Sequence, residues 1–361
     1  MKRWLRTIRE LINPDWAPHT SVPPFEAGLR PNSVLDTSAL LLDCDVVREP
    51  EDVAVLADGT IVFTSADALF RLDGTGRFEL ARFSGDAGAV IAVDDGAVVV
   101  VEGEGIILVT PDGARRVVCD DPLVRYGVTD LAVVAPGDYL VTIGSTRRTF
   151  WARALVDAES SGQIVRVAQG AAQVVADGLP WPAGITIMGT EVLLALSLEH
   201  RIERRSLENL AVRGRAVVGN LPVYPGRLQA VDDGCWVTAP YPRNRMTELM
   251  LDEPELIAEM VSIIAPEQWM VPRLRSDNPY TDTLQHGQTR VHGEIKPWAP
   301  PRSYGLVFHL DRHGRVDTSL HSRVDGERHG VTGAVFHGGR LIAAARGFRN
   351  LIDVDVKGVT V

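Results

Sequence analysis

The sequence predicts an all-β fold, a six-bladed β-propeller, on three observations. Short strand-like runs separated by Gly or Asp-Gly turns recur from Ser38 to the C-terminus. A turn–strand–turn–strand phrase returns about every 40 residues, the period of a propeller blade. Six starts of that phrase can be counted, near Glu51, Ala89, Asp130, Ala183, Arg227 and Thr332.

The clearest unit lies within Leu179 to Asn244. Trp181-Pro182-Ala183-Gly184 makes an entry turn, Gly189 reverses the chain, and "EVLLALSL", "RIERRSL" and "RAVVGN" complete four strands. Tyr224-Pro225-Gly226-Arg227 then opens the next unit. The first copy has turns at Asp58-Gly59, Ala66-Asp67 and Asp73-Gly74, and the second at Asp95-Gly96, Gly103 and Asp112-Gly113. The third starts at "VTDLAVVAPGDYLVTIGS" and is delayed by a loop carrying Phe150 and Trp151. The fifth begins at Leu228 and resumes at "YGLVFHLDRHGRVDTSLHSR"; the sixth is "VTGAVFHGGRLIAAARGFRNLIDVDV". The strand at 38–47 has no blade of its own. It is expected to join the last blade, which closes the ring and removes an open sheet edge.

Residues 1–37 read as an N-terminal helix followed by an irregular, Pro-rich arm, and 38–361 as one propeller domain. In the helix, Trp4, Leu5, Ile8, Leu11 and Ile12 share a face that Lys2, Arg3, Arg6 and Arg9 mostly avoid. Docking on the body of the fold is favoured over lying on a membrane surface. The fifth copy is interrupted over 246–303, too long for a structureless loop. Asp252 is expected to cap a helix there, with Pro254 in its first turn, Glu255 completing a capping box, and Leu256, Ile257, Met260, Ile263 and Ile264 as its apolar stripe. The aromatic second half is expected to form a lid, with Trp269, Tyr280, Trp298 and Tyr304 shaping a ligand mouth. The other reading is a side pack on the propeller or an oligomer contact, which leaves a homo-oligomer open.

The formal charge is −10 and the basic residues form no stripe, so nucleic acid is not an expected partner. No apolar run reaches the roughly 18 residues that span a bilayer. Cys44, Cys119 and Cys235 are odd in number and far apart, which fits a reducing compartment and a cytoplasmic location. The sequence has no Gly-x-Ser-x-Gly elbow, His-Glu-x-x-His, paired Cys-x-x-Cys, phosphate loop or dinucleotide fingerprint.

Propellers place functional groups where the innermost strands enter the central channel. The polar residues at those entries are Glu51 and Asp52, Thr129 and Asp130, Arg227, and Thr332 with His329 nearby. Glu102 and His200 sit deeper in their units, and Trp181 and Ala183 belong to an entry turn. A small-molecule substrate is the expected partner.

"GLPWPAGI", "EVLLALSLEHRIERRSL" and "GNLPVYPGRLQAVDDGCWVTAPYPRNRM" resemble the core of strictosidine synthase-like proteins, part of a wider group of six-bladed propellers with the SMP-30/gluconolactonases and paraoxonases. "EPEDVAV", "KPWAPPRSYGLVFHLD" and "SLHSRVDGERHGVTGAVFHGGRLIAAAR" resemble the first and last blades of bacterial members. The resemblance implies hydrolase-type or condensation chemistry on small organic molecules, and in lactonase relatives a divalent metal, usually calcium. Glu51 matches the first-blade metal glutamate. Thr129-Asp130 stands for an Asn-Asp pair, Pro182-Ala183-Gly184 for Pro-Asn-Gly, and Pro225-Gly226-Arg227 for Pro-Asp-Asn. Thr332 stands where the plant condensing enzymes carry a glutamate. A calcium site would thus be degenerate, with Glu51 its one clear ligand, and no cofactor is assured.

The expectation is that Arg227 supplies fixed positive charge in place of the ion and pairs with Glu51 and Asp130. The reading of first choice is a lactone or ester hydrolase, with Glu51 or Asp130 as base, Arg227 as electrophile and His200 as a further catalytic candidate. Thr129, Ala183, Trp181, Thr332, His329, Glu102, Trp298 and Tyr304 are the expected substrate contacts. A lyase, isomerase or condensing enzyme of specialised metabolism, and a non-catalytic binding propeller, are the alternatives.

Overall fold

Short strands between glycine turns satisfy their backbone groups only by pairing with neighbours. In the computed structural model they do so as six four-stranded antiparallel sheets arranged in a ring. The structure describes residues 22–23, 25, 28–43, 48–74, 76–275, 290–291, 294–295, 302–324 and 326–356. Blades one to four run from the innermost strand outward over 50–82, 87–119, 128–179 and 182–218. Blade five takes two strands from 228–238 and two from 305–322. Blade six takes three from 331–355, and its outermost strand is Ala39–Leu42, with Ala39 opposite Asp353 and Leu40 opposite Ile352. The early strand therefore closes the ring, as its lack of a blade implied.

The six innermost strands neighbour one another around the axis. Apolar residues fill the spaces between blades: Val62, Leu69, Val99 and Val109 between blades one and two, and Leu140, Ile164, Ile185 and Leu194 between three and four. Each such side chain, once fully buried, contributes about 1.5–3 kcal/mol. Polar side chains join successive inner strands. Asp52 Oδ2 accepts from Val90 N at 2.9 Å and Asp130 Oδ2 from Ile185 N at 2.9 Å. Thr186 Oγ1 accepts from Ala230 N at 3.1 Å, and Gln229 exchanges two hydrogen bonds with the Phe336 backbone.

The two ends of the ring differ. Tight turns crowd one end, several on glycines with positive φ, as at Gly59 (85°) and Gly189 (62°). At the other end lie the starts of the inner strands and the connections between second and third strands, because alternate strands run in opposite directions. That end carries the longer segments: 144–161 with the helix Trp151–Val156, the turn Ser197–Glu199, the stretch 239–275, and the turn Arg346–Phe348.

In the long span, Asn244 caps the helix Arg245–Leu251 by accepting from Thr247 N at 2.8 Å. A second helix, Pro254–Ile263, follows. Asp252 does not cap this second helix as expected: it is the C-cap of the first, and Glu253 holds the N-cap position of the second without a side-chain hydrogen bond. Of the expected stripe, Ile257 and Met260 are buried, whereas Leu256, Ile263 and Ile264 are exposed. The pair Arg243–Glu248, 3.1 Å apart and fully buried, ties the segment to the ring, helped by Tyr224, whose hydroxyl donates to Glu248.

The arm before blade one lies along the outer strand of blade five, where Asn32 Nδ2 donates to Ser319 O at 2.7 Å and Oδ1 accepts from His321 N at 3.0 Å. The helix expected over 1–12 lies outside the described residues. No helix among the described residues is long and apolar enough to cross a membrane.

Candidate functional site

The pairing register shifts near the start of the inner strand in five blades, between Ala87 and Val90 in blade two and by one skipped residue in four others. The pairing register skips between Pro50 and Asp52, Val128 and Asp130, Pro182 and Gly184, and Val331 and Gly333. The skipped residues are Glu51, Thr129, Ala183 and Thr332, and all four line one cavity of about 180 Å³ at the axis. A bulge re-aims a side chain and frees a carbonyl from the ladder. Both effects are used here. Thr332 Oγ1 donates to Glu51 O at 2.7 Å and Thr129 Oγ1 to Pro182 O at 2.5 Å.

Arg227 enters from the equivalent place in blade five. Its Nε donates to Thr129 O at 3.1 Å. Its Nη1 donates to Glu51 O at 3.1 Å and Thr332 O at 3.0 Å. Its Nη2 donates to Glu51 Oε1 at 2.8 Å. Nε also lies 3.6 Å from Asp52 Oδ2 and 4.0 Å from Asp130 Oδ1. Burial opposes the arginine's charge, but Asp52, Glu51 and Asp130 outweigh it and raise its pKa.

Arg346 completes a chain of charges. Its Nη1 donates to Glu51 Oε2, and its Nη2 to Glu49 Oε2 at 2.9 Å. Glu51 thus holds one guanidinium on each oxygen. Burial pushes its carboxyl up, but Arg346 and Arg227 together hold it below the usual carboxylate range.

Trp181, Trp151, Ser197, Tyr241, Pro240 and Leu274 wall the cavity. Trp151 stacks on Tyr241 at 3.9 Å and donates through Nε1 to Ser197 Oγ at 3.3 Å. Trp181 sits at φ +52°, a left-handed backbone that bulky residues rarely adopt. Its ring lies against Gly144, where an added Cβ would come within 2.8 Å of Cε2. Strained, closely fitted side chains collect at functional sites.

Beyond Arg227, toward the turn end, is a second cavity of about 240 Å³ lined by Asp52, Asp130, Gln229 and inner-strand backbone. Arg227 lines both cavities and separates them. Burial pushes Asp130 up to about 7 and Asp52 up to about 6, although Arg227 and two backbone N–H groups on each carboxylate act the other way. A larger groove of about 570 Å³ runs along the outer turn end of blades four and five. There Arg204 pairs with Glu191 and Arg205 with Glu203, and it lies away from the axis.

The structure brings Glu51, Thr129, Trp181, Ala183, Arg227 and Thr332 together around the upper cavity. Asp130 lies below Arg227, in the second cavity. His200, expected in the site, is buried beside Tyr224, with ring centroids 4.6 Å apart, and its Nε2 is 3.8 Å from Glu248. The left-handed turn at His200 carries it under the helical segment. His329 shares hydrogen bonds with Ser303 Oγ at 3.0 Å and Arg323 O at 2.7 Å, away from the cavity. Tyr304 stacks on Phe25 at 5.0 Å, inside the core of blade five. Trp269 is buried below the helices, its Nε1 donating to Ile264 O. Glu102 is exposed on the turn after Val101 of blade two. Trp298 and Tyr280 lie outside the described residues.

Arg346, Trp151, Tyr241, Ser197 and Leu274 were not among the expected contacts. A signal for Arg346 was present. The turns Ser197–Glu199 and Arg346–Phe348 follow the second strands of blades four and six, and each ends on a left-handed residue, His200 or Arg349. Aligning the two repeats pairs Ser197 with Arg346.

No protein-family model matches the chain, and no curated protein matches it. Solved structures do. One is regucalcin, described as a calcium-binding protein, from Agrobacterium tumefaciens strain C58, at 12% identity over 91% of this chain and 96% of that one, with a TM-score of 0.56. Another is a luciferin-regenerating enzyme, at 10% identity over 87% and 93%, with a TM-score of 0.54. A third is a structural-genomics protein assigned to the gluconolactonases, at 12% identity over 93% and 97%, with a TM-score of 0.53.

Calcium takes six to eight oxygen ligands. The axial oxygens of this chain do not fit that role, because the Arg227 nitrogens stand among them at hydrogen-bond distance. At these identities the likeness to solved structures establishes the fold, a β-propeller.

Proposed function

We propose that the upper cavity binds a small ester or lactone and hydrolyses it. The reading rests on one observation: Glu51 holds Arg227 on one oxygen and Arg346 on the other, at the floor of an aromatic-walled cavity. Arg346, with its side chain 36% exposed, meets the substrate carbonyl and stabilises the oxygen that becomes negative when water adds. Arg227 adds fixed positive charge beneath it. Glu51, ionised at neutral pH, is a weak base for its position and orients the attacking water. Trp181, Trp151 and Tyr241 hold the apolar part of the substrate. The acyl C–O bond then breaks and the alcohol leaves with a proton from water.

The test is a panel of activated esters and lactones. Turnover by the natural chain should fall on the order of 100-fold in Arg346→Met, the cost of removing one oxyanion donor. No turnover anywhere on the panel, or full activity in Arg346→Met, overturns the reading. Binding without turnover is the second reading. The saturation of both Glu51 oxygens by arginines favours it, since a carboxylate so held is poorly placed to take a proton.

A further inference from the structure

Six oxygens from three blades surround the Arg227 guanidinium. Three are main-chain carbonyls of bulged residues: Glu51 and Thr129 at 3.1 Å and Thr332 at 3.0 Å. Three belong to carboxylates: Glu51 Oε1 at 2.8 Å, Asp52 Oδ2 at 3.6 Å and Asp130 Oδ1 at 4.0 Å. The distances run to three different guanidinium nitrogens, and with Arg227 in place no three acidic side chains converge as a metal cluster among the described residues, but carbonyls mixed with carboxylates are the ligand types that calcium takes. The bulges fix the carbonyls, so side-chain substitution does not remove them.

An oxygen cage with this charge is costly to bury without a cation. The chain supplies one from its own sequence. We infer that Arg227 is a built-in counter-ion: with it in place no divalent cation sits at the axis, and shortening it unmasks a calcium-type site. The inference goes beyond the proposed hydrolysis and holds whether or not the cavity turns over a substrate.

Calorimetric titration of the full chain with calcium chloride tests it. The natural chain should give no binding at millimolar calcium. Arg227→Ala should bind one calcium per chain, with a melting temperature that rises by several degrees on calcium addition. Adding Glu51→Gln to that variant should weaken binding at least tenfold. Arg227→Lys, which keeps the charge, should bind none. If Arg227→Ala aggregates without the ion, recovery of folded protein in calcium, but not in sodium chloride of equal ionic strength, supports the inference. Arg227→Ser is run alongside. Failure of both shortened variants to bind or fold in calcium overturns it. So does stoichiometric calcium on the natural chain that Glu51→Gln removes.

Discussion

Arg227 Nη2 lies 2.8 Å from Glu51 Oε1, a bond that reaches across the axis from blade five to blade one. With its bonds to Thr129 and Thr332, the same side chain also fastens blades three and six. The Arg227 side chain is 12% exposed and that of Glu51 17%. Removing the guanidinium therefore leaves nearly desolvated carboxylates and carbonyls without their donor. Arg227→Met keeps the stem and deletes the bonds. In calcium-free buffer it should lose about 3 kcal/mol of stability, the lower end for breaking a buried ion pair. Urea unfolding checks this, and a loss under about 1 kcal/mol would mean that the guanidinium does not bind the blades together.

Arg346 makes the contrasting case. It also pairs with Glu51, but it is far more exposed, so solvent screening weakens the pair. Arg346→Met should cost no more than about 1 kcal/mol in the same urea series. If activity is found on the ester and lactone panel, this variant should lose most of it while unfolding near the natural midpoint. A large stability loss would instead make Arg346 part of the framework.

The fold was legible because turn chemistry and strand length repeat, and a repeat is seen without knowing which residues touch. The blade starts near Glu51, Asp130, Ala183 and Thr332 lie within two residues of the observed strand starts. The pairing of Glu51 with Arg227 was legible for the same reason, since both stand at strand entries. What the repeat could not carry was register around the axis. Asp130 and Thr129 are adjacent, yet the bulge sends Thr129 to the upper cavity and Asp130 to the lower one. The turn and loop contributors Ser197 and Tyr241 were hidden, because their placement depends on how each blade's second connection folds back. His200 and Tyr304 misled for the opposite reason: a histidine and a tyrosine look like chemistry in sequence, and here they complete buried packing.

Gly144 tests how closely the cavity wall is fitted. An added methyl would lie 2.8 Å from Trp181 Cε2, 2.9 Å from Cζ2 and 3.0 Å from Thr129 Cγ2. Gly144→Ala must push the indole or shift the strand, at about 1–3 kcal/mol for overpacking. Thermal unfolding should show the loss. Trp181→Gly loses packing of its own, but in that background Gly144→Ala should cost much less than in the natural chain, because the ring it would strike is gone. An equal cost of Gly144→Ala in both backgrounds would place the strain elsewhere.

The two buried aspartates give the axis a pH dependence of definite sign. Burial raises Asp130 to about 7 and Asp52 to about 6, against about 3.9 in an unfolded chain. Between those limits the folded chain binds more protons than the unfolded one. Stability from these groups is therefore fully present below about pH 4 and is lost as pH rises through 6 and 7. Glu51 runs the other way: its pKa is depressed, so its contribution is present above the usual glutamate value and is lost as pH falls through the depressed one. Between about pH 4.5 and 7.5 the aspartates, which titrate as a coupled pair, lower stability as pH rises, while burial of His321, which holds its pKa down to about 4, raises stability up to about the unfolded imidazole value. Urea midpoints should fall most clearly between about pH 6.5 and 7.5, where His321 no longer opposes the aspartates. Asp130→Asn cannot ionise, and it should flatten the fall even though losing one accepted backbone N–H lowers the starting stability. The slope is the readout, and an equal slope in both proteins would mean that Asp130 is already ionised in the folded ring at pH 4.5.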